Sequence, residues 1–211
     1  MYRQLEDTGP PLSQQDIVSL ERILGFQLPL DYAAFLRRYN GGSPTPETVP
    51  IQDWPEGGTE DDVRMLYRIG SAPTEDTYDL RWNIECYVGR MPAGLLPIAT
   101  TSCGDQFCLW LAGDDRGSVA LWDHEAEHCP PTAANLHRVA SSFTEFLELL
   151  GDSPEDQVPP RAMLRRAANK AAGYEEQPEG YDWHHAGEGK MQLVPRSIHM
   201  RTGHNGPVAS H

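Results

Sequence analysis

The sequence predicts an α+β protein in two parts. An antiparallel sheet with flanking helices comes first, and a small ββα unit closes the chain. Three observations carry this reading. Residues 95–101, 106–112 and 118–125 (LLPIATT, QFCLWLA, SVALWDHE) are β-like runs separated by SCGD and GDDRG, both good turn sequences. Amphipathic helical segments stand at both ends of that region, at 13–25 and 141–151. Five of the eight histidines fall in the last 29 residues, and three of them stand in a strand–turn–strand–helix order with a fourth just beyond it.

In SQQDIVSLERILG (13–25), Ser13 is a helix cap and Asp16 complements the positive helix end. Ile17, Leu20, Ile23 and Leu24 form one apolar stripe, and Gly25 stops the helix. In FQLPLDYAAFLRRYNGG, Pro29 suits the first turn of a second helix, whose apolar residues are Leu30, Ala33, Phe35, Leu36 and Tyr39. Asn40-Gly41-Gly42 ends it with residues that accept positive φ. VPIQDW (49–54) reads as a short strand, PEGGTEDD (55–62) as an acidic turn, and DVRMLYRIG as a weaker segment. For IECYVGRMP (84–92) helix and strand both stay open.

Within the β-like runs, Leu109 and Leu111 alternate with Trp110, and Val119 and Leu121 alternate with Ala120 and Trp122. That pattern predicts a half-buried antiparallel meander with the tryptophans in the core or at an edge. Gly104 reads as a backbone-geometry residue of the turn. Asp123-His124-Glu125 reads as a polar strand end, where only Asp123 and Glu125 share a face. SSFTEFLELLG is a capped amphipathic helix with Phe143, Phe146, Leu147 and Leu150 on one side.

The 211 residues carry 31 acids and 17 bases, a net charge of −14. Residues 1–150 hold −13 of this and residues 151–211 only −1. Such a surface does not suit general binding of a phosphate backbone, whereas it suits a basic partner. No run of 18 apolar residues exists, and the first fifteen residues lack an apolar signal core, so a cytoplasmic protein without a membrane partner is expected. Cys86, Cys103, Cys108 and Cys129 form no C-x-x-C pair and read as buried, reduced thiols.

GDSPEDQVPP (151–160) reads as a boundary. It separates a domain at 1–150 from a linker and basic helix at 151–173 and a module at 174–211. RAMLRRAANKAAG (161–173) carries Arg161, Arg165, Arg166 and Lys170 and no acid. It is either an exposed basic linker helix or a phosphate-contacting one.

YDWHHAGEGKMQLVPRSIHMRTGHNG (181–206) reads as a β-hairpin followed by a helix that Pro195 starts and Gly203 ends. His184 and His185 lie on the first strand, His199 on the helix and His204 just beyond it. Neutral imidazole is available near pH 7 as metal ligand or base, so this set suits a one-metal hydrolase site.

Two resemblances sharpen these readings. The strings LPLDYAAFLRRYNGG, LLPIATTSCGDQFCLWLAGDDRGSVALWDHE and SSFTEFLELL make residues 12–150 resemble the SUKH superfamily, the Smi/Knr-type domains. That resemblance implies an α+β domain of the kind that binds and neutralises nuclease toxins, or that serves as a scaffold. W-H-H, a short turn, M-Q-L-V-P and then H-x-x-x-x-H-x-G make residues 174–209 resemble the WHH nucleases of the HNH/endonuclease VII superfamily, with a ββα-metal fold. The second resemblance implies that His185 is the general base. It also implies that His184, His199 and His204 hold one divalent ion, with Mg2+, Zn2+, Mn2+ and Ni2+ all open. Trp183 would anchor the hairpin, and Gln192 and Lys190 would contact phosphate.

Together they imply a toxin–immunity type protein that joins an immunity-like domain to a metal-dependent endonuclease module. Its partners would be DNA or RNA at the module, and a nuclease toxin or the chain's own module at the acidic domain. The alternative is a non-catalytic immunity or scaffold protein with a remnant nuclease tail. A module of roughly 35 residues buries little core, so it needs the metal, the preceding helix or the other domain to hold it.

Overall fold

The local signals at the N-terminus act as expected. In the computed structural model, which describes residues 4–52, 60–70, 76–152, 160–186 and 190–202, a short strand β1 (Gln4–Glu6) precedes helix α1 (Gln14–Leu24). Ser13 and Asp16 form a reciprocal capping box at its start, and Gly25 ends it in the left-handed region. Ile17 and Leu20 are buried, but Ile23 of the expected stripe is 61 % exposed, because the core meets only one edge of the helix. Pro29 caps α2 (Leu30–Arg38).

Asn40-Gly41-Gly42 does more than end α2. The Asn40 side chain donates to the carbonyls of Pro10 and Ile69, both at 2.9 Å, and accepts from the Ile69 N–H at 2.8 Å. Gly41 has φ +82°, and a Cβ there would sit 2.7 Å from the Leu66 carbonyl, so only glycine lets the two backbones meet. Asn40→Ala is expected to leave buried Ile69 groups without their partner. The expected cost is about 2–4 kcal/mol, at roughly 1–3 for each unsatisfied group. Urea unfolding measures it, and a cost near zero would show that the side chain is not a strut.

Four short strands follow: β2 (Ser43–Thr45), β3 (Thr48–Pro50), β4 (Glu60–Asp62) and β5 (Met65–Leu66). Of these the sequence pattern anticipates only the region of β3. Helix α3 (Leu80–Tyr87) settles the open reading of 84–92 as helix up to Tyr87 only, with turns after it, and it begins earlier, where Asp79 accepts from the Arg81 and Trp82 N–H groups. Then come β6 (Leu95–Thr100), β7 (Gln106–Trp110) and β8 (Val119–Trp122), at the places the sequence predicts. An unforeseen β9 (Leu136–Ala140) and the expected α4 (Phe143–Glu148), capped by Ser142, complete this part.

Strands β5 to β9 form one five-stranded antiparallel sheet in sequence order. The half-buried meander is corrected in one respect, since β7 and β8 are buried on both faces. Phe107 packs on Phe146 of α4, whose neighbour Phe143 meets Tyr32 and Phe35 of α2. Across the sheet, Trp122 meets Tyr87 of α3 edge-on, with the Arg90 guanidinium over its ring. None of the four cysteines is disulfide-bonded. Cys103 and Cys108 are buried, but Cys86 is only partly so and Cys129 is exposed, which corrects the expectation for those two.

The remainder consists of α5 (Pro160–Ala172), the hairpin β10 (Tyr181–His185) and β11 (Met191–Pro195), and α6 (Arg196–His199). No helix among the described residues is long and apolar enough to cross a membrane.

Candidate functional site

The hairpin pairs in register, from Tyr181 opposite Pro195 to His185 opposite Met191. Pro195 then caps α6, which turns His199 back toward the strand. Side chains two apart on a strand share a face, so Asp182 and His184 lie on one side of β10. Trp183 is buried on the other, where its Nε1 donates to Asn169 Oδ1 of α5 at 2.7 Å.

Asp182 and Arg196 are both fully buried, and the guanidinium donates to Asp182 Oδ1 at 2.9 Å. Arg64 lies 3.7 Å from the same oxygen. Burial alone would raise the Asp182 carboxyl, but Arg196, His199 and Arg64 outweigh it and hold the group below the ordinary carboxylate range. Arg196 also stacks over the Tyr78 ring at 4.7 Å and approaches the Tyr67 hydroxyl, which donates to Gln106 in the sheet. Met200, just past α6, joins the main hydrophobic cluster, and Arg90 donates to its carbonyl. The ββα unit is thus built onto the sheet that residues 65–140 form.

This seating brings three histidines together. The rings of His124 and His184 each lie 5.1 Å from that of His199, both edge-on. One ligand atom from each of the three falls within 4.8 Å of the other two. His124 is oriented by Asp105, which accepts from its Nδ1 at 2.6 Å and its backbone N–H at 3.0 Å. His199 presents Nδ1 to Asp182 Oδ2 at 3.5 Å. Carboxylates on Nδ1 leave Nε2 as the ligand atom, the usual arrangement behind a metal-binding histidine. The donor set therefore fits a divalent ion. Gly104, at φ +103°, makes room: a Cβ there would lie 2.9 Å from His199 Cε1.

Of the three residues that the resemblance assigns to the ion, His184 and His199 lie together, and His204 lies outside the described residues. His185 pairs with Met191 through the strand backbone, and its side chain lies outside the described set. The same holds for the side chains of Arg161 and Arg166, whose backbone is in α5. Arg165 reaches Asp62 Oδ2 at 3.4 Å and donates to Ser102, so its guanidinium faces the sheet domain. Lys170 and Lys190 are exposed, as is Gln192.

The sequence reading missed Asp105, His124, Asp182 and Arg196. For 123–125 it assumed strand alternation, but β8 ends at Trp122 and the chain bends there, so His124 turns inward to 5 % exposure. Asp182 had a usable signal, since it stands two residues before His184 on the same strand.

Comparison with known proteins places these parts. Residues 11–149 match the SMI1 / KNR4 family (SUKH-1). Residues 173–210 match a family described as a nuclease of the HNH/ENDO VII superfamily with conserved WHH. The SPbeta prophage-derived uncharacterized protein YokK of Bacillus subtilis (strain 168) is 29 % identical over 153 residues, covering 67 % of this chain and 76 % of that protein.

Proposed function

This chain belongs to the SMI1/KNR4 family (SUKH-1) and carries a WHH module of the HNH/ENDO VII nucleases after it, and from that premise we propose that it is a toxin–immunity type protein whose C-terminal module hydrolyses nucleic-acid phosphodiesters with one divalent ion. One observation carries the reading: His184 and His199 converge on a ββα unit, with Asp182 behind His199. A divalent ion bound there would supply stabilisation of the negative charge that develops during phosphodiester hydrolysis. His184 and His199 would hold it, and the family resemblance assigns His204 as the further ligand from the module. Asp182 fixes the tautomer of His199. His185 takes the proton of the attacking water. Residues 174–211 form the module, and the acidic SUKH domain engages it.

The burial of His199 to 6 % exposure beside Gly104 favours a second reading. There the SUKH domain is the working part, a binder of nuclease toxins, and the module is a remnant. Incubating the full chain with plasmid DNA and tRNA across Mg2+, Mn2+, Zn2+, Ni2+ and Co2+ separates the two. The first reading expects cleavage that stops on chelation and is absent from His184→Ala. No cleavage of either substrate with any of these ions would sink it in favour of the second.

A further inference from the structure

We propose that His124, a residue of the SUKH domain, is itself a ligand to the divalent ion of the WHH module, so that the metal centre spans both parts of the chain. The inference rests on the metal-site half of the reading above and not on cleavage.

Three features of the geometry support it. First, the His124 ring stands as close to His199 as His184 does, at 5.1 Å, and all three ligand atoms lie within 4.8 Å of one another. Second, His124 is prepared as a ligand. Asp105, fully buried, accepts from both its Nδ1 and its backbone N–H, and the Asp105 N–H is in turn fixed by Thr101 Oγ1 at 3.1 Å. An imidazole whose Nδ1–H donates to a carboxylate presents the Nε2 lone pair, and the ring cannot swing away. The Nε2 atoms of His124 and His199 and Nδ1 of His184 are all withdrawn from solvent. Third, Gly104 allows the approach, because a side chain there would collide with His199 and push it off His124.

The chemistry of the set selects the ion. Imidazole nitrogens suit Zn2+, Ni2+ and Co2+, whereas Mg2+ prefers carboxylate, carbonyl and water oxygens. The centre therefore takes a borderline transition ion in preference to Mg2+. Because its ligands come from β10, from α6 and from the bend after β8, the ion ties the module to the sheet domain. Metal binding then contributes to the stability of the whole chain.

The test titrates Co2+ into the full chain, reading the visible ligand-field bands and the thermal midpoint. Expected for the wild type are one tightly bound Co2+, displaced by Zn2+ and not by Mg2+, and a raised midpoint. His124→Gln is expected to weaken Co2+ at least as much as the roughly 10–100-fold that follows loss of an outer partner, and to alter the bands. Asp105→Asn is expected to weaken it within that range, and His128→Ala, an exposed neighbour, to leave it unchanged. Far-UV circular dichroism of the metal-free variants checks that they fold, and Asp105→Asn serves if His124→Gln does not. Unchanged Co2+ affinity and bands in His124→Gln, with both lost in His184→Ala, would overturn the proposal and leave the module's own metal site intact. Absence of Co2+ or Zn2+ binding by the wild type would overturn both.

Discussion

Asp182→Ala is expected to destabilise the chain by about 3–5 kcal/mol, the range found when one partner of a buried ion pair is removed. The cause is the group left behind. Arg196 is fully buried under Tyr78 and beside Tyr67, and Arg64 points at the same carboxylate from the sheet domain. Without Asp182, two guanidinium groups face each other with no anion between them. Urea unfolding followed by tryptophan fluorescence reads the loss, since Trp183 sits next to Asp182 in β10. A double variant, Asp182→Leu with Arg196→Met, is expected to recover much of it, because a packed apolar pair carries no desolvation cost. A loss below about 1 kcal/mol in the single variant would mean that the pair lies in solvent and that the ββα unit is not seated as described.

His185→Ala is expected to lower phosphodiester cleavage by about 10²–10⁴-fold, the usual contribution of a positioned general base. Co2+ affinity is expected to stay at the wild-type value, because in the proposed mechanism His185 accepts a proton and does not hold the ion. This contrast separates it from His184→Ala, which is expected to lose metal and cleavage together. The measurement is single-turnover cleavage, at saturating metal, of whichever of plasmid DNA and tRNA the wild type cuts. A rate within a few-fold of wild type would remove His185 from the proposed mechanism and point to another base. Loss of Co2+ binding together with the rate would reassign it as a ligand.

Much of the fold is legible in the sequence because its signals are local. The capping box of Ser13 and Asp16 spans three residues, and Gly25 ends α1 by its own backbone freedom. The hairpin is legible from the polar glycine-containing stretch AGEGK between WHH and MQLV, and α6 from Pro195. Where the reading fails, the deciding neighbour is distant. Ile23 fits its stripe and still faces solvent. Strand β9, LHRVA, carries His137 and Arg138 in the middle and takes its identity from pairing with β8. Arg165 lies on a basic helix, yet Asp62, about a hundred residues earlier, takes its charge.

The histidine site divides along the same line. By itself the sequence determined that His184 and His199 belong to one ββα unit, because strand alternation and a helix start set their directions within some fifteen residues. The sheet domain's part in the site was decided only by the tertiary structure. His124 comes from a bend that no periodicity describes, and its ligand geometry depends on Asp105 one strand away. It meets His199 because buried Arg196 and Asp182 seat the unit on Tyr67 and Tyr78. Spacing along a chain encodes which side chains share a face. Which faces meet depends on the burial and charge pairing of the whole molecule.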